Sequence, residues 1–144
     1  MTASLLAPTS HPHAAIAELH DYLAEVATAV GVGMESCTVD QDTPVSAYIA
    51  LDEQLPAHPG RDVALLWDET HGWSAAIETH CGEDLILVSH LGGPTVTPPA
   101  AQVARFVTTL RHTCPRTSEA VPPTIRLAGT LSDLDTVLRT RDRS

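Results

Sequence analysis

Lysine is missing altogether. Eight arginines supply every permanent side-chain cation against eighteen aspartates and glutamates, for a formal charge of −10. The imbalance is uneven: residues 1–112 hold three Arg against fourteen acids, and residues 113–144 hold five against four. Nucleic-acid affinity rests on Lys and Arg displacing counterions from phosphates, so the acidic body is not expected to bind nucleic acid. An arginine-only cation set is common in GC-rich actinobacterial genomes and speaks of origin, not mechanism.

Aromatic residues are almost as scarce, with two Trp, two Tyr and one Phe. Cysteine is limited to Cys37, Cys81 and Cys114, an odd number without a CxxC pair, which fits reduced thiols better than a disulfide framework. No apolar run approaches the ~20 residues that span a bilayer, and the short Leu5-Leu6-Ala7 has no basic flank. A cytoplasmic protein without membrane contact is expected.

What is present reads as one α+β domain. The apolar positions Ile16, Leu19, Tyr22, Leu23, Val26 and Val30 recur at helical spacing, and Gly31 and Gly33 end the pattern. Short β-rich runs follow, placing strands near 36–40, 45–51, 63–68, 73–79 and 85–90. Thr97 is placed to cap a second helix with Pro98 and Pro99 in its first turn and Val103, Phe106, Val107 and Leu110 on its buried stripe. The predicted architecture is an N-terminal helix, a five-stranded mainly antiparallel meander sheet, and a C-terminal helix packed on one face. Residues 1–12 read as a flexible N-terminus, 13–112 as the domain, and 113–144 as a Pro-containing linker and weakly helical tail.

The most distinctive segment is Leu65-Leu66-Trp67-Asp68-Glu69-Thr70-His71-Gly72-Trp73, which holds both tryptophans. Its centre reads as a tight turn closed by a glycine at positive φ. The rings can pack under the helices, or they can line an interface with Arg61 and His71 on its margin, since Trp and Arg are enriched among interface anchors. Trp67, Trp73, His71 and Arg61 are therefore the candidate partner-binding residues.

A meander gathers Asp40, Gln41, Asp42, Asp68, Glu69, His71 and His90 at one end of the sheet, and Glu35, Asp52, Glu53, Arg61, Asp62, His80, Cys81, Glu83 and Asp84 at the other. Carboxylates and imidazoles bind divalent metals, but neither set has a recognised ligand spacing. His80-Cys81 with His112 and Cys114 offers zinc-type ligands, again without the usual spacing. No metal or cofactor is assigned, and no catalytic residue is named.

The phrases Ala47-Tyr48-Ile49-Ala50-Leu51, Pro59-Gly60-Arg61-Asp62, Leu65-Leu66-Trp67-Asp68-Glu69, His71-Gly72-Trp73 and Ala104-Arg105-Phe106-Val107 resemble a family of small uncharacterised actinobacterial proteins, over about Tyr22 to Leu110. That likeness implies a bacterial cytosolic origin and brings no activity with it. The leading expectation is a non-enzymatic, adaptor-like or chaperone-like module that binds a protein partner and forms a homodimer through an open sheet face or edge. The alternatives are a small-ligand sensor with a pocket between sheet and helices, and a metal-dependent enzyme using Asp68, His71 and His90.

Overall fold

The helical stripe of the first thirty residues folds as α1 (Pro12–Val30) in the computed structural model, which describes residues 12–56, 58–78, 85–112, 125 and 131–140. Gly31 ends it at φ +90°, a conformation that suits a residue without Cβ. Its N–H and that of Val32 both bond the Ala27 carbonyl at 2.9 Å.

A short 3₁₀ turn leads into β1 (Cys37–Asp40), followed by β2 (Ser46–Gln54), β3 (Asp62–Asp68), β4 (Gly72–Glu78) and β5 (Leu85–His90). The strands lie in the order β1-β2-β3-β4-β5 with every neighbouring pair antiparallel, the predicted meander. Two further helices follow, α2 (Ala100–His112) and α3 (Leu131–Arg139). Residues 1–11 and 113–124, with which the flexible N-terminus and most of the linker were identified, lie outside the described residues.

Period-two alternation divides the sheet. Cross-strand pairing aligns Ala47, Trp67 and Trp73 in one row and Ile49, Leu65 and Ala75 in the next, all on the inner face. These residues join a single buried cluster with Leu19, Leu23 and Val26 of α1 and with Val103, Val107 and Leu110 of α2. At about 25 cal/mol per Å² of apolar surface removed from water, this layer is the main source of stability.

The structure departs from the sequence reading in two places. Helix α2 starts after Pro99, whose carbonyl accepts the first bonds from Gln102 and Val103. Thr97 does not cap it: the Thr97 N–H bonds Thr95 Oγ1 at 3.1 Å, and the Pro98 carbonyl is held by the Tyr22 hydroxyl at 2.6 Å. The predicted weak tail helix, for its part, is α3, and it belongs to the core, with Leu134 and Leu138 fully buried in the same cluster. The core therefore extends past residue 112.

Two ion pairs fasten helices to their surroundings. Arg111 in the last turn of α2 grips Glu53 with two bonds of 2.9 and 2.6 Å, tying that helix to the end of β2. Arg139 of α3 grips Asp135 on its own helix and reaches Glu18 of α1 at 3.6 Å.

Tyr22 is the hub of the buried polar groups. Its hydroxyl donates to Pro98 and accepts the Trp73 indole N–H at 3.0 Å. Tyr22→Phe keeps the ring but leaves a buried donor and a buried acceptor unpaired, so equilibrium urea unfolding should show a loss of roughly 2–4 kcal/mol.

Candidate functional site

The β3–β4 turn is built by its own side chains. Asp68 Oδ1 accepts the Thr70 and His71 N–H groups at 2.8 and 2.6 Å, and the His71 ring closes on the same carboxylate at 3.0 Å. Gly72 completes the turn at φ +72°, as the sequence predicts. Glu69 turns inward and is 2% exposed; its backbone N–H bonds the Val45 carbonyl at 3.0 Å while its Oε2 accepts the Val45 N–H at 2.6 Å. The Thr70 carbonyl accepts the Ile125 N–H at 2.8 Å. Three residues with catalytic potential are thus engaged in holding a loop.

The two tryptophans face each other across β3 and β4 and are each 1% exposed. Trp67 donates its indole N–H to the Val96 carbonyl at 2.7 Å, and Trp73 donates to Tyr22. Their polar edges are satisfied inside the protein, so the rings pack under the helices and present no surface to a partner. His71 remains at the surface with its side chain 32% exposed. Arg61 precedes the first residue of β3, whereas His71 follows the last. The seven residues of β3, at ~3.3 Å each, put roughly 20 Å between the two, so they stand at opposite ends of the sheet.

Asp68, His71 and His90 do not converge either. His71 pairs with Asp68, while His90 lies opposite Ser74 and bonds its hydroxyl through Nδ1 at 2.9 Å. Among the described residues no three His, Cys, Asp or Glu side chains form a metal-binding group. His80, Cys81 and Cys114, named for the zinc reading, lie outside the described residues. Ser74 is too enclosed to attack a substrate, at 5% exposure. Burial, and after it the charge of Glu35, pushes the Cys37 thiol up, which keeps it protonated and poorly nucleophilic.

The even-numbered face of the sheet is what remains. One row runs Thr38, Tyr48, Leu66, Ser74 and His90; the next runs Ala50, Ala64, Ala76 and Leu87. A β-bulge between these rows inserts Val88 into β5, so that Leu87 rather than Val88 shares this face. Tyr48, Leu66 and Leu87 are half-buried, and Leu85 is exposed. The Tyr48 hydroxyl lies 3.3 Å from Glu78 Oε1, on a line that crosses the buried Ala64. An apolar centre is therefore bordered by carboxylates: Asp40 and Asp68 at the turn end, Asp62 and Glu78 at the other. Sequence reasoning missed this strip, although Tyr48 and Leu66 show the alternation; only the register brings Leu87 beside them.

A hollow of about 670 Å³ opens on the helical side between Asp21, Ala24, Glu25 and Thr28 of α1 and Ala100 and Ala101 of α2. It lies between helices, not between sheet and helices as the ligand-sensor reading requires.

Burial, followed by the charge and hydrogen bond of Glu78 and the charge of Asp62, raises the Tyr48 hydroxyl above the ordinary tyrosine value of 10.0. The folded protein thus loses stability as pH climbs from that value through the raised one, because the unfolded chain ionises first. Glu78→Gln should move Tyr48 ionisation down toward its ordinary range. The change is read as tyrosinate absorbance, with Tyr48→Phe identifying the signal.

Comparison with known proteins adds one assignment. No curated protein and no solved structure matches the chain. A family model does match over residues 22–109, from the middle of α1 almost to the end of α2. With more than half its length inside that match, the chain belongs to DUF6292, a family of unknown function.

Proposed function

We propose that the protein is a binding module that holds a basic, apolar segment of a partner protein against the outer face of its sheet. The observation that carries this reading is the strip Tyr48–Leu66–Leu87, half-buried and uncharged in a chain of net charge −10, with carboxylates along both ends. Apolar side chains on the partner would cover the strip, and its Lys or Arg residues would meet Asp40, Asp62, Asp68 and Glu78. Complementary charge speeds the encounter and selects the partner, while apolar contact holds it.

His71 stands at the turn end of this face and Arg61 at the other, so each is a rim residue of one long surface. The tryptophans act from beneath by fixing the strands that display it. Buried Ser74 and the raised Cys37 thiol favour this reading over catalysis. No helix of the described residues is long and apolar enough to cross a membrane. The arginine-only cation set and the cysteine pattern support a place in the cytoplasm of an actinobacterium.

A panel of peptides alternating leucine with arginine, and matched peptides with glutamate in place of arginine, tests the proposal by fluorescence anisotropy. The basic set should bind, and rising salt should weaken it. Leu66→Glu with Leu87→Glu should reduce affinity at least tenfold, about 1.4 kcal/mol, while the near-ultraviolet signal of the buried tryptophans is kept. Equal binding of the acidic set, or full affinity in the folded double variant, overturns it.

A further inference from the structure

The hollow between α1 and α2 owes its volume to small side chains. Ala24 and Ala29 of α1 and Ala100 and Ala101 of α2 each end at Cβ, so none of them reaches across to fill the space of about 670 Å³. The two helices are held at this separation from one end. The Tyr22 hydroxyl grips the Pro98 carbonyl at 2.6 Å and is itself fixed by the Trp73 indole at 3.0 Å. Asp21 is next to Tyr22 in the chain and Ala100 lies just beyond Pro98, so this clamp stands at the mouth of the hollow and keeps it preformed.

The polar part of the lining lies on α1. Asp21, Glu25 and Thr28 are spaced by three and four residues, which puts them on one side of that helix. Among the described lining residues there is no basic side chain. The start of α2 brings roughly half a positive charge, which two carboxylates outweigh. Walls of low polarity focus such a field, here in a chain whose formal charge is already −10.

Size decides what kind of cation fits. Clefts of roughly 300–1,000 Å³ with mostly apolar walls and a few polar groups are the usual form of a small-molecule site. Asp21 and Ala29 lie about 12 Å apart along the helix axis at ~1.5 Å per residue, whereas a strand of average length covers ~17–20 Å. The hollow is thus too short to seat a strand of a partner protein.

We propose that this hollow is a binding site for a small organic cation, an amine or quaternary ammonium carried on an apolar body. The charged group faces Asp21 and Glu25, and the body lies on the alanines of both helices. Charge complementarity selects the cation, and the apolar walls hold it. The site is on the helical side of the sheet and does not rest on the function proposed for the outer face.

Calorimetric titration of the full chain with hexylammonium, benzyltrimethylammonium and hexanoate tests the proposal. Both cations should bind, more weakly as salt rises, and hexanoate should not. Asp21→Asn with Glu25→Gln should weaken hexylammonium at least tenfold. Ala101→Phe, which places a ring in the hollow from an exposed position, should do the same. The near-ultraviolet signal of the buried tryptophans shows that each variant is folded; should the double variant lose it, Asp21→Asn alone, at an exposed position, carries the same expectation. Hexanoate binding as tightly as hexylammonium, no binding of either cation at millimolar concentration, or undiminished affinity in the folded variants overturns the proposal. The last outcome would mean that the cation is held by the general acidity of the surface and not by this hollow.

Discussion

The structure depends on finding internal partners for two buried indole N–H groups. Trp67 takes the Val96 carbonyl and Trp73 takes the Tyr22 hydroxyl, which passes the bond on to Pro98. These acceptors lie in, or are bonded to, the segment that leads from β5 to α2. The same bonds that satisfy the rings therefore fix where the chain crosses from sheet to helical layer. Three of the five aromatic residues meet at this junction, and Tyr22 and Trp73 stack at a tilt with centroids 6.2 Å apart. An unmatched donor there would cost as much as a well-packed side chain contributes.

With that junction closed, the two faces of the sheet take different roles. Every helix contributes its buried side chains to the odd-numbered face. At the hairpin, Asp68 and Glu69 satisfy backbone groups that would otherwise need water, so the residues richest in chemical potential are structural. The even-numbered face is left with an apolar centre and charged ends. That pattern is the one on which the proposed binding rests.

Much of this was legible in the residues. The stripe from Ile16 to Val30, closed by Gly31, gave α1 with its observed end at Val30, and β5 was placed at its observed Leu85–His90; the other strands were found within three residues of their ends. Local signals sufficed because alternation and glycine placement act over a few residues. The burial of Leu134 and Leu138 was not legible, since a nine-residue helix reveals its partner only in three dimensions. Nor was the role of Thr97, which is buried and bonded to Thr95 while Pro99 supplies the first helical carbonyl. Trp67 and Trp73 were compatible with core and surface alike until their N–H partners were known. The outer strip stayed hidden because the extra residue at Val88 brings Leu87, in place of Val88, onto the face that carries Leu66.

That extra residue also bears on how the molecule behaves in a crowded solution. An edge strand with evenly spaced backbone donors and acceptors is a template on which further strands can stack without limit, and β5 is uncharged enough to serve as one. The bulge breaks the spacing midway, while the opposite margin is the four-residue β1, which ends in an aspartate. Sideways growth into fibrils is thereby discouraged at both margins, and any lasting contact between molecules falls to side chains.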